Sequence, residues 1–268
     1  MTLTSFEKLL SDVKPSGENQ YSATVQEDWL QGRSAFGGLT GAIVTQAMRQ
    51  QVAAERKLRS LQVTFVGPAP KGDHHVAITP LREGGSVTHM QATIAQGDDV
   101  SVTSVAAYGK ARQSEYAVPP IARPEGLKGP EELQSMPFIP GVVPNFVQHF
   151  DFRWATGSGP FTGAKVPANK VWIRMDSDRD IDEVGIVAMA DALPPPALSM
   201  PNKPCPGSSL SWYLELLPVQ AKGKLSDWWL VDYVCDAGAD GYYNQVAHIW
   251  APDGQLVAIS RQVAVIFA

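Results

Sequence analysis

Residues 32–48 read GRSAFGGLTGAIVTQAM, and their period decides what the first half of the chain can be. Leu39, Ile43, Ala47 and Met48 share one helical face, and Gly37 and Gly38 stand where such a helix would start. The text that follows changes period. RSLQVTFVG (59–67), HHVAITP (74–80), SVTHMQATIAQ (86–96) and DVSVTSVAAYG (99–109) are β-rich runs separated by Gly, Pro or Asp, as in an antiparallel meander.

The same order returns later in the chain. HFDFRW (149–154) and KVWIRM (170–175) read as extended, DEVGIVAMADAL (182–193) as an apolar helix, and SLSWYLELL (209–217), WWLVDYVC (228–235), YYNQVAHIWA (242–251) and QLVAISRQVAVIF (255–267) as strands, with Pro252-Asp253-Gly254 as the last hairpin turn. Between the two series lies a segment with Pro at 119, 120, 124, 130, 137, 140 and 144 and no sustained period, which reads as a surface connection. Setting Ser60 beside Ser209, Ala106 beside Gln262 and Gly41 beside Gly185 gives offsets of 149, 156 and 144 residues. Offsets this similar point to a duplicated unit. The expectation is an α+β chain with one unit over 1–110, a connection over 111–144 and a second unit over 145–268. Each unit would wrap an antiparallel sheet around a central helix, and the two sheets would join edge to edge so that neither keeps an open pairing edge there. The few polar residues in 182–193 suit a helix enclosed on most sides.

Composition removes several function classes. With 268 residues and 44% hydrophobic content the chain can bury a sizeable core. No run of about 18 apolar residues occurs, and MTLTSFEKLLSDVKPSGENQ lacks the layout of a secretion signal, so a soluble cytoplasmic protein is expected. Cys205 and Cys235 are too few for a disulfide framework or a Cys-rich metal site and read as reduced thiols. A net charge of −5 without a long basic run argues against nucleic acid as a partner. The five histidines show no ligand spacing, and no G-x-S-x-G elbow is present. GSGPFTG (157–163) lacks the Lys-Ser/Thr ending of a phosphate loop and reads as an ordinary loop.

The stretch GRSAFGGLTGAIVTQAM, with LRSLQVTFVGPAP and LREGGSVTHMQATIAQ after it, resembles the first hotdog of the acyl-CoA thioesterase II family. VWIRM, AMADAL, SLSWYLELLP and DGQLVAISRQ follow the order of that family's second hotdog. The resemblance implies a double hotdog that hydrolyses acyl-CoA, with no metal or organic cofactor and with homo-oligomers of double-hotdog chains as a further expectation. It also implies a site in which an Asp, a hydroxyl residue and a Gln activate water. The matching positions are Asp191, Ser209 and Gln262. The chain departs from the family pattern in carrying Ser for Thr at 209, no Asp-His in the hydroxyl strand, and Val263-Ala264 in place of Glu-Gly after the Gln.

Read from the residues alone, each position has a plainer alternative. Asp191 interrupts an apolar run, where an ionised carboxylate is costly unless paired, but it could also cap the helix end. Ser208, Ser209 and Ser211 all supply a hydroxyl near the start of the strand, and Gln262 could face solvent. Gly37 and Gly38 could present backbone N–H groups to a bound thioester or could simply turn the chain into the helix. CoA phosphates call for nearby cations, with Arg82, Arg153 and Arg261 as candidates. In the first unit Ser60 stands for Ser209, Ala106 for Gln262, and Gln46 or Ala47 for Asp191, so that site reads as vacant. A hotdog hydratase would need an Asp with a His five residues on, which is missing. A module that binds acyl-CoA or a lipid without catalysis is the competing class.

Overall fold

The computed structural model describes residues 3–268. In the first half α1 (Phe6–Ser11) precedes β1 (Lys14–Gly17) and β2 (Gln20–Val25). A small hairpin, β3 (Leu30–Gln31) with β4 (Ser34–Ala35), leads into α2 (Gly37–Arg49), and β5 (Arg56–Phe65), β6 (Gly72–Glu83), β7 (Val87–Gln96) and β8 (Asp99–Lys110) follow. The second half runs β9 (Phe150–Thr156), β10 (Ala168–Met175), α3 (Glu183–Ala190), β11 (Gly207–Leu216), β12 (Trp229–Ala239), β13 (Tyr242–Trp250) and β14 (Leu256–Ile266). Residues 111–144 contribute no strand and one short 3-10 turn, Pro130–Glu132.

Twelve of the strands form one sheet in the order β1-β2-β6-β7-β8-β5-β11-β14-β13-β12-β10-β9. Counted outward from the β5–β11 pair, the two arms repeat the same connectivity: β5, β8, β7, β6, β2, β1 on one side and β11, β14, β13, β12, β10, β9 on the other. All the pairings are antiparallel. Alternation in the sequence gives the longer strands one core face. In β10, for example, Asn169, Val171, Ile173 and Met175 are buried and the residues between them are not.

α2 packs on β6, β7 and α3, and ten of its thirteen residues are buried, so it is enclosed rather than laid on a surface. α3 starts at Asp182, whose side chain accepts from the Gly185 N–H at 2.8 Å. It stops just before Asp191, three residues ahead of Pro194, which lacks an amide donor and disfavours helical backbone at the residue before it. The two helices touch through glycine. A Cβ at Gly38 would lie 2.6 Å from the Ala188 carbonyl oxygen, and one at Gly41 would lie 2.9 Å from both Val187 and the Trp212 ring.

That contact gives a test. Alanine is the better helix former by about 1 kcal/mol, but a backbone oxygen cannot rotate out of the way as a side chain can. Overpacking costs about 1–3 kcal/mol, so Gly38→Ala is expected to lower the urea midpoint of unfolding despite its higher helix propensity. A midpoint at or above wild type would show that the helices are not held at this distance.

Candidate functional site

Trp212, Leu214 and Leu216 of β11 point into the core. Strict alternation would continue that face through Leu210 and Ser208. Instead a bulge between Ser209 and Ser211 makes Leu210 an extra, exposed residue opposite β14, and Ser209 turns inward across from Ala264. The bulge therefore selects one hydroxyl of the three. Ser211 pairs with Val263 off the core face, and Ser208 is exposed.

Gln262 lies on β14, flanked by Trp212 of β11 and Gln245 of β13, and is almost fully buried. Its Nε2 donates to Asp191 Oδ1 and to Ser209 Oγ, both at 2.8 Å. Its Oε1 accepts from the Tyr233 hydroxyl at 2.9 Å and from Gln245 Nε2 at 2.7 Å. Asp191 follows the last turn of α3, and its other oxygen faces the first residue of α2, where a Cβ on Gly37 would come within 2.4 Å of Oδ2. Three residues far apart in sequence thus share one amide, under a helix N-terminus.

Asp191, Ser209 and Gly37 line an open cavity of about 540 Å³, together with Thr40, Phe65 and Phe267. Gly38 does not line it: its N–H lies against Asp191, and its missing side chain serves the contact with α3. Among the described residues no group of three or more His, Cys, Asp and Glu is placed to hold a metal ion, and no helix is long and apolar enough to cross a membrane.

Residues 25–109 match the profile of the acyl-CoA thioesterase N-terminal domain, and residues 130–266 match that of the acyl-CoA thioesterase C-terminal domain. The chain belongs to the acyl-CoA thioesterase family. Solved structures carry the same fold. A hot dog fold protein of unknown function from Alicyclobacillus acidocaldarius is 21% identical with a TM-score of 0.83, covering 97% of this chain and 98% of its own. The acyl-CoA thioesterase II TesB2 from Mycobacterium marinum is 17% identical with a TM-score of 0.78 and 97% of each chain covered. The tesB protein of Mycobacterium avium subs paratuberculosis is 16% identical with a TM-score of 0.79, covering 98% of this chain and 100% of its own. No protein of curated function matches the sequence.

In this family member the expected cations are misplaced. Arg261 is on the outer face of β14, and Arg153 is held by Asp151, Glu131 and the Pro130 carbonyl on β9, at the far edge of the sheet. Arg82 is exposed on β6, and none of the three lines the cavity. The lining arginine is Arg33, in the turn between β3 and β4, where Gly32 adopts a φ of 65°. Its place beside the helix-starting glycines was visible in the sequence as GRSAFGG, yet nothing in the residues said that the turn would fold over the cavity.

The first half corrects another expectation. Leu61 and Val63 of β5 point inward as Trp212 and Leu214 do, and β5 has its own bulge between Leu58 and Ser60. Counting back across that bulge, the position matching Ser209 is Leu58, at an offset of 151, and Ser60 sits off the core face. Ala106 pairs with Leu61 as Gln262 pairs with Trp212, so the 156 offset holds. Beside Leu58, Glu183 accepts the Leu58 N–H at 2.7 Å and pairs with Arg49 at 3.1 Å, and the Arg49 guanidinium lies over Tyr108. An ion pair and an aromatic ring thus fill the region corresponding to the site.

Burial pushes the Asp191 carboxyl from an ordinary 3.8 up to about 7, against the opposing hydrogen bonds of Gln262 and the Gly38 N–H. The folded chain therefore holds this proton at pH values where the unfolded chain has released it, and stability falls as pH rises through that window, with the loss retained above it. Asp191→Asn removes the ionisation while keeping an oxygen for Gln262. Its melting temperature is expected to exceed that of wild type at pH 8 and to converge on it towards pH 4. An advantage that is the same at both pH values would mean Asp191 is not a buried titrating group.

Proposed function

We propose that this chain hydrolyses an acyl-CoA thioester with water as the nucleophile, releasing CoA and a carboxylic acid. The observation that carries the reading is the Gln262 amide joining Asp191 to Ser209 on the wall of an open cavity. Oδ1 of Asp191 accepts from Gln262, and Oδ2, which faces the start of α2, would take a proton from a water held against the Ser209 hydroxyl. A carboxyl near 7 suits that work, because a general base is most effective when its pKa lies near the working pH. As water attacks, charge develops on the thioester oxygen. The Gly37 N–H opens α2 and so has no acceptor within the helix, and it would donate to that oxygen from the positive end of the dipole. The CoA sulfur leaves as a thiolate, a good leaving group since thiols ionise near about 8.5. The proposed chemistry needs no metal or organic cofactor.

We read the scaffold as a double hotdog in which residues 1–110 and 145–268 are copies, each built round its own helix, α2 or α3, with 111–144 as the connection. The mirrored strand order and the separate family matches over 25–109 and 130–266 support this. One working site per chain is assigned to the second copy, completed by Gly37 of the first.

The decisive assay follows free CoA released from a panel of acyl-CoAs. Asp191→Asn is expected to reduce turnover by about 100-fold or more, the scale of a lost general base. Ser209→Ala and Gln262→Ala should also lower it, and all three variants should still bind acyl-CoA, because the roles act on water in the transition state. Gln46→Ala, in the first half, should leave turnover near wild type. Wild-type protein that binds acyl-CoA without releasing CoA would instead be a binding module. Arg33→Ala should raise KM for acyl-CoA but not for an acyl-pantetheine that lacks the phosphates. Equal effects on both substrates would remove Arg33 as the phosphate contact.

A further inference from the structure

We propose that Tyr233 and Gln245 are positioning residues: together they hold the Gln262 carboxamide with its oxygen inward, so that the site receives two N–H donors and no acceptor. The inference rests on the hydrolytic reading above. A carboxamide has one oxygen and one NH2 of nearly the same shape, so half a turn about its last bond exchanges them. On the cavity side nothing prevents that exchange when Asp191 is protonated, because its O–H and the Ser209 hydroxyl could both donate to an oxygen turned towards them. The choice falls to the inner pair. Tyr233 is buried, and both burial and the nearby Asp191 raise its pKa well above the ordinary phenol value, so it remains a donor across the working range. Gln245 donates its Nε2 to the same oxygen, while its own Oε1 is buried with no hydrogen-bond partner among the described residues. Leaving a buried carbonyl oxygen unpaired is costly, and such orphans call for a reason. Supplying the second donor to Gln262 is the reason the geometry offers.

The orientation has a chemical consequence. A flipped amide would set a carbonyl oxygen against the carboxylate and favour its protonated form, which cannot act as a base. It would also compete with Asp191 for the proton of the water. The titratable groups around the amide are Asp191 at the end of α3 and Tyr233 and Cys235 on β12. β11, β13 and the start of α2 bring uncharged groups: Ser209, Gln245 and the Gly38 N–H.

Tyr233→Phe deletes one donor and little else. It is expected to reduce kcat about 10-fold, the scale of one hydrogen bond to a working group, with KM little changed. The acid limb of the kcat profile should move to higher pH. In a Gln262→Ala background the same change should have no further effect, since it acts only through that amide. Independently of turnover, the Asp191 carboxyl followed by 13C NMR should titrate higher in Tyr233→Phe, by on the order of one pH unit. That readout stands even if the wild type proves to release no CoA, so the two readings fail separately. Should Tyr233→Phe not fold, Gln245→Met, of similar volume, carries the same expectations. An unchanged Asp191 titration, or a Tyr233→Phe effect of full size without Gln262, would overturn the proposal.

Discussion

Five residue pairs, Ser60–Thr64 of β5 against Ser211–Glu215 of β11, hold the two halves in one sheet. Side chains alternate along a strand, so a slip of one residue at this seam would turn every core residue of β11 outward. In the observed register Val63 lies opposite Trp212, and Trp212 packs beneath Gly41 of α2. The helix of the first half is thereby brought onto the end of α3. The cavity runs across the seam, with Ser34, Gly37 and Phe65 on one side and Ser209 and Phe267 on the other. Neither half encloses it alone.

The charge balance at Asp191 follows from the same arrangement. A carboxylate at the C-terminal end of α3 meets the negative end of that helix, yet the positive end of α2 is directly beside it. Gln262 and the Gly38 N–H add hydrogen bonds, but burial still prevails and holds the carboxyl up to about 7. The group is neither fully stabilised nor fully suppressed. A complete set of donors would leave it a weak base, and deeper burial would leave it protonated.

Much of this was legible in the sequence. Helices and strands came from period, the expectation of a duplication from similar offsets, and the candidates Asp191, Ser209 and Gln262 from the resemblance to the family's order of motifs. What the sequence could not carry was the strand register and anything set by a turn. Setting RSLQVTF beside SSLSWYL placed the counterpart of Ser209 two residues late, at Ser60 rather than Leu58; the bulges at Arg59 and Leu210 match, so the two strands keep one offset of 151 across them. Arg33 escaped notice because a tight turn, rather than proximity in sequence, brings it to the cavity. Gln245 did leave a trace: in YYNQVAHIWA it shares the parity of the buried Ala247 and Ile249, which marks an amide on a core face. Tyr233 left none, since an aromatic in an apolar strand reads as ordinary packing.

Leu210 carries a consequence for how the gene can change. As the extra residue of the β11 bulge it is exposed and faces neither the cavity nor the core. Its identity is nearly free, and most replacements at this codon should pass unnoticed. Its presence is nearly free as well. Losing the codon would make Ser209 and Ser211 neighbours opposite Ala264 and Val263, and plain alternation counted from Trp212 would keep Ser209 on the core face while the strand lost its local kink. At this position, then, a gene pool can accumulate both substitutions and the loss of this one codon, and homologues should vary here in length as well as in residue type.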